Sequence, residues 1–162
     1  MGLDNYWMVC TEEEKKKFKE VDPEVWIPND DPRKKARKEL ALKCQTRAHQ
    51  ILIELNPPLD FSYVYMCRDE EPIANWFRGK NYDGFFSHFT GETLYQKLIE
   101  QPKIKEMSDK LQQVTYEQVK NAKYTKEELE DLCIPTKKEF KTFQRMWKRF
   151  AEEPDVILRG WW

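Results

Sequence analysis

Residues 76–95, WFRGKNYDGFFSHFTGETLY, carry the side chains in this chain best suited to chemistry. Arg78 and Lys80 flank Gly79 between aromatics, so two cations and the exposed N–H groups of a turn share one short loop, an arrangement that neutralises an anion. Tyr82 and Phe77 would cover the apolar part of such a ligand. His88 follows, downstream of Asp83 and ahead of Glu92. An imidazole with carboxylates nearby works as an acid or base near neutral pH, or joins a metal site. Arg78, Lys80, Tyr82 and His88 are therefore the candidate ligand-binding residues. The competing reading is a tight corner, in which Arg78 pairs with an internal carboxylate and the aromatics are core.

Signatures of defined enzyme classes are missing from the sequence. Gly79-Lys80-Asn81 fails the phosphate-loop pattern, and Ser87-His88 lacks the G-x-S-x-G elbow that would aim a base at the hydroxyl. Cys10, Cys44, Cys67 and Cys133 are scattered with no C-x-x-C pair, so neither a zinc ribbon nor a thioredoxin-type motif is available; reduced thiols packed as small hydrophobes are expected. His49 lies one residue past Ala48 on a helical stripe, an edge position with a structural or solvent role. No catalytic residue, cofactor or metal is assigned, and the balance leans against an enzyme.

Short blocks carry a resemblance. Met1-Gly2-Leu3-Asp4-Asn5-Tyr6, Phe77-Arg78-Gly79-Lys80 with Tyr82, and Thr90-Gly91-Glu92 with Leu94-Tyr95-Gln96 resemble a set of small bacterial and bacteriophage proteins that begin MGLDNY and carry FRGK-x-Y and TGxSLYQ blocks. Thr93 stands where that pattern has serine. The group has no assigned activity, so the resemblance implies a phage-related accessory component and carries over no catalytic residues.

Cations dominate two helices. Arg33, Lys34, Lys35, Arg37, Lys38, Lys43 and Arg47 occupy the early and middle turns of the first, opposed there by Glu39; Lys137, Lys138, Lys141, Arg145, Lys148 and Arg149 surround the aromatic seam of the last. Such faces are either merely solvated or bind acidic partners, and basic amphipathic helices also bind membranes and grooves. The ending, Val156-Ile157-Leu158-Arg159-Gly160-Trp161-Trp162, must fold back or be covered by another chain, the second being preferred. Arg33, Lys34, Arg37, Lys141, Lys148, Trp161 and Trp162 are the candidate partner-binding residues.

The elements that position these groups follow from periodicity. Residues 6–10 (YWMVC) and 61–67 (FSYVYMC) predict strands that pair with each other. Thr11 with Glu14 has capping-box spacing ahead of a surface helix. Asp31-Pro32 opens the clearest helix, whose stripe of Ala36, Leu40, Cys44, Ala48, Ile51, Leu52 and Leu55 runs to Asn56-Pro57-Pro58. Thr93 with Gln96 predicts a short helix through Leu98 and Ile99, ended by Pro102. Ile104, Met107, Leu111 and Val114 predict the next, followed by polar residues through Lys123. Capping boxes at Thr125–Glu128 and Thr136–Glu139 predict two more, the last carrying Phe140, Phe143, Met146, Trp147 and Phe150.

A chain of 162 residues with 35% charged and 14% aromatic residues is one folded domain with a real core. The expected class is α+β, a predominantly helical single domain with a small two- or three-stranded sheet. Its parts are a core over 1–101 with the strands and basic helix, a helical part over 102–153 and an aromatic tail over 154–162. Neither a signal peptide nor an apolar run long enough for a membrane span is present, which predicts a reducing, cytoplasmic setting. The preferred function is a non-enzymatic interaction protein or accessory protein. It would dock on another macromolecule, a protein partner or a second copy of itself, through the basic helices and aromatic tail. An anion-binding protein or enzyme centred on Arg78, Lys80 and His88 is the alternative. Nucleic-acid binding comes third, because the net charge is −1.

Overall fold

A computed structural model of the chain describes residues 4–21, 28–57, 87–92, 98–127 and 134–161. Strand β1 (Asp4–Val9) pairs antiparallel with β3 (Val156–Trp161), from Asp4 opposite Trp161 to Val9 opposite Val156. The short β2 (Leu98–Glu100) lies antiparallel on the other edge of β3, which makes β3 the centre of a three-stranded sheet. Successive side chains leave opposite faces of a strand. Trp7, Leu158 and Ile99 therefore stand in register across all three strands and enter the larger core, whereas Met8 and Ile157 enter a smaller one behind the sheet.

Helices cover both faces. Helix α1 (Glu12–Val21) begins on the predicted capping box: Glu14 N–H donates to Thr11 Oγ1 at 3.2 Å and Thr11 N–H to Glu14 Oε1 at 3.0 Å. Helix α2 (Pro32–Ile53) starts with proline in its first turn and Asp31 as cap, accepting the Arg33 N–H at 2.9 Å. Its stripe is buried only from the middle onward, at Cys44, Ala48 and Leu52; Ala36 is exposed. Phe18 and Cys44 join the smaller core, while Ala48 and Leu52 reach the larger one beside Trp7.

On the other face, α3 (Gln101–Gln112) and α5 (Lys137–Ala151) form an antiparallel pair. The last carbonyls of a helix have no partner within it. Gln144 supplies one from the neighbour, its amide donating to the carbonyls of Leu111 and Val114 at 2.9 and 3.0 Å; at the opposite end Gln101 donates to the Ala151 carbonyl at 2.9 Å. The predicted seam of α5 is consumed internally: Phe140, Phe143, Met146, Trp147 and Phe150 are all buried, with Trp7 stacked on Phe150 at 4.3 Å and edge-on to Trp147 at 4.7 Å. The chain is thus α+β, mostly helical, with a three-stranded antiparallel sheet.

Several expectations change. Leu98 and Ile99 form a strand, not the end of a helix, and Pro102 sits in the first turn of α3, where a missing N–H costs nothing because that N–H has no intrahelical acceptor. The stretch before Lys123, read only as polar residues, contains α4 (Tyr116–Asn121), with Thr115 and Gln118 forming a complete capping box. Val156–Trp161 folds back as the central strand instead of extending as a tail, because consecutive apolar residues Val156, Ile157 and Leu158 are buried on both faces only there. The predicted strand over 61–67, its pairing with residues 6–10, and most of the predicted Thr125 helix lie outside the described residues.

Trp147→Ala is expected to lower the unfolding free energy by about 3–5 kcal/mol, through lost burial and the cavity left behind. Ile134, 47% exposed, should change it by under about 0.5 kcal/mol on the same truncation. Urea denaturation midpoints of the two variants check this.

Candidate functional site

Three polar regions qualify as candidates, and geometry separates them. The first is around His88. Residues 87–90 form one helical turn that Gly91 ends: its N–H donates to the Ser87 carbonyl at 2.8 Å and its φ of +75° is a left-handed conformation that glycine adopts without strain. The His88 ring is half-buried and packs on Phe89 and Tyr124, with centroids at 4.9 and 4.7 Å. Glu92, a proposed carboxylate neighbour, pairs with Lys103 at 2.8 Å. Arg78, Lys80 and Tyr82, the rest of the predicted ligand set, lie outside the described residues, as does Asp83.

The second is an open cleft of about 670 Å³ between α1, β2 and α3, lined by Glu12, Lys15, Glu92, Glu100 and Lys103 among others. Its charges are matched to one another. Glu12 pairs with Lys15 at 3.0 Å, Glu92 with Lys103, and Glu100 with Lys19 at 3.0 Å. Burial works against the Lys15 ammonium, yet Glu12 and Asp155 hold it above its ordinary value. Among the described residues no three His, Cys, Asp or Glu side chains gather closely enough to hold a metal ion.

The third region is α2 itself. Its first two turns, residues 32–39, contribute nothing to either core, and Arg33, Lys35 and Lys38 are exposed there. Arg33 is drawn onto the cap, reaching Asp31 Oδ2 at 2.7 Å, and its guanidinium holds the Asp31 carboxyl down at about 2. Lys34 reaches Asn29 Oδ1 at 2.6 Å, and Arg37 is half-buried. On α5, Lys141 and Lys148 are exposed, and Arg145 contacts the Pro57 carbonyl just past the far end of α2. At 1.5 Å per residue, Arg33 and that end are about 30 Å apart. The Trp161 backbone pairs with Asp4; Trp162 lies outside the described residues.

Below the cationic turns sits a junction that the sequence only partly revealed. Glu14 on α1 binds Arg47 of α2 through Oε1 and pairs with Lys43 through Oε2 at 3.2 Å; Arg47 also donates to the Val9 carbonyl at 3.2 Å. Arg47 chiefly, with the Thr11 N–H and Lys43 assisting against burial, holds the Glu14 carboxyl near 2. The capping box was legible, and Lys43 and Arg47 at i and i+4 share a helix face. That both close on Glu14 is tertiary information. His49, one turn along, is half-buried, and burial pushes its imidazole down.

No family model, curated protein or solved structure matches the chain. Among the described residues no helix is long and apolar enough to cross a membrane.

Because the folded pKa of Glu14 lies below its unfolded value of 4.5, its contribution is fully present above pH 4.5 and is lost as pH falls toward 2. Glu14→Gln is expected to destabilise the protein by about 1–3 kcal/mol at pH 7, since it removes the largely buried carboxylate that Arg47 and Lys43 share. The gap to the unmodified protein should narrow on acidification, as read from urea denaturation at pH 7 and pH 3.

Proposed function

We propose that this protein is a non-enzymatic interaction module that docks on an acidic protein surface through the first two turns of α2. The observation that supports this most is the division of that helix. Its last three turns are anchored at Cys44, Ala48 and Leu52, while residues 32–39 carry Arg33, Lys34, Lys35, Arg37 and Lys38 away from both cores. Cations in the first turns sit at the positive end of the helix dipole, where they are locally unfavourable. Asp31 and Glu39 already pair with Arg33 and Lys35 there, and an acidic surface laid against the helix would add to that pairing.

A protein fits better than a nucleic acid. Backbone recognition of a duplex uses a continuous basic track, whereas here Arg33 and the Arg145 contact lie at opposite ends of α2, about 30 Å apart along its axis. The net charge of −1 also gives little long-range attraction for a polyanion. Lys141 and Lys148 would act as a second, subsidiary contact for a large partner. Phage-related accessory components, which the short sequence blocks resemble, are compatible with such a role.

Tagged protein purified from its own cells should retain one stoichiometric protein partner. Lys35→Glu combined with Lys38→Glu should reduce that retention about 10-fold while leaving the urea midpoint unchanged, because each exposed charge is worth about 1 kcal/mol or less. Equal retention by the variant would defeat this reading. Salt-dependent retention of the unmodified protein on duplex DNA, lost in the variant, would replace it with nucleic-acid binding.

A further inference from the structure

Helix α1 is held to the body of the protein differently from the other long helices. Helix α2 anchors through Cys44, Ala48 and Leu52, α3 through Ile104, Met107 and Leu111, and α5 through its aromatic seam. Among the residues of α1, Phe18 is the one apolar side chain that is buried, packed in the smaller core with Met8 and Ile157. Val21, the other apolar residue of α1, is half-buried at its end. The remaining buried positions, Glu14 and Lys15, are charged.

Charge supplies most of the other links. Glu14 pairs with Arg47 and, at 3.2 Å, with Lys43 of α2; Lys15 reaches Asp155 ahead of β3 at 3.6 Å; and Lys19 meets Glu100 at the end of β2 at 3.0 Å. The partner side chains Arg47, Lys43, Asp155 and Glu100 are between 37% and 63% exposed, so water and dissolved ions reach every pair. Pairs of that kind are weak singly and are screened by salt. A segment with few buried apolar contacts and solvent-reached polar links is the part of a fold that opens first. A short helix is also marginal alone in water, so α1 unwinds when it leaves.

We propose that α1 is an electrostatically latched strap, which undocks as a unit ahead of global unfolding and whose open fraction is set by ionic strength. Opening removes Glu12 and Lys15 from one wall of the cleft between α1, β2 and α3. It lifts Phe18 off Met8 and Ile157, which uncovers part of the back of the sheet. It also takes Glu14 away from Lys43 and Arg47, and so returns two cations to the surface of α2. Arg33, Ala36, Leu40, Lys43 and Arg47 recur at steps of three and four, so the released cations lie on the stripe that begins at Arg33. In the closed state α1 thus covers, with a carboxylate of its own, part of the cationic face of α2.

Hydrogen–deuterium exchange of the full chain, read by mass spectrometry on peptic fragments, tests this. At low salt the amides of α1 should exchange faster than those of α3 and α5. Raising NaCl from about 0.1 M to about 1 M shortens the screening length from about 10 Å to about 3 Å. That change should speed α1 exchange about 5-fold, corrected for the intrinsic rate at each salt concentration, and leave α3 and α5 unchanged. Lys19→Glu, which sets two carboxylates against each other, should speed α1 at the lower salt by a similar factor. Adding Glu100→Lys should restore the original rate by re-forming the pair in reverse. Exchange of α1 at the rate of α3 and α5, or an α1 rate that salt does not move, would overturn the proposal. So would a reversed pair that leaves α1 as fast as Lys19→Glu does while α3 stays protected. The salt titration of the unmodified protein decides the matter if Glu100→Lys disturbs the start of α3.

Discussion

Val156, Ile157 and Leu158 are apolar at three consecutive positions and are buried on both faces of a strand. Such a segment is stable only when both edges are paired and both faces covered. That requirement organises the molecule. It draws the N-terminal strand and residues 98–100 onto opposite edges of one central strand, and it calls for a helical layer on each side. The larger layer, α3 with α5, supplies Trp147 and Phe150 against Trp7. The smaller, from α1 and the middle of α2, supplies Phe18 and Cys44 against Met8 and Ile157.

Charge follows the same logic of local closure. The chain is 35% charged but nearly neutral overall, and much of that charge is matched where elements meet. Glu14 gathers Arg47 and Lys43 between α1 and α2, Lys15 ties α1 to Asp155 at the entry to β3, and Lys103 holds Glu92 beside α3. Exposed pairs of this kind contribute little stability singly. Glu14 differs because its side chain is only 10% exposed and accepts from several donors at once. A carboxylate in that position ties α1 to α2 at two points of one helix face.

Helices were more legible in the sequence than strands for a physical reason. The Thr11 capping box, the Asp31-Pro32 start and the spacing of Phe140, Phe143, Trp147 and Phe150 are local signals, satisfied within a turn or two. β2 is three residues long and exists because β3 lies beside it; no local propensity in Leu98-Ile99-Glu100 specifies it. β3 was misread as a tail because a hydrophobic terminus has the same composition whether it folds inward or meets another chain. Of the candidate site, the cations of α2 were legible as a run. The convergence of Glu14, Arg47 and Cys44 on the end of β1 was not, since it joins residues more than thirty positions apart.

Helix α2 joins what the fold holds rigid to what it leaves outside. A helix extends readily once nucleated but is marginal alone at eight or ten residues. Residues 32–39 enter neither core, so their helical order rests mainly on the Asp31 cap at one end and on continuity with the anchored turns at the other. The anchor nearest to them is the junction of Cys44, Lys43 and Arg47 with Cys10, Glu14 and Val9. Whatever tightens that junction also steadies the first turns of the helix and the cations they carry. Loosening it lets the presenting turns fray. The packing of the junction and the charge displayed beyond it are thus mechanically linked through one helix.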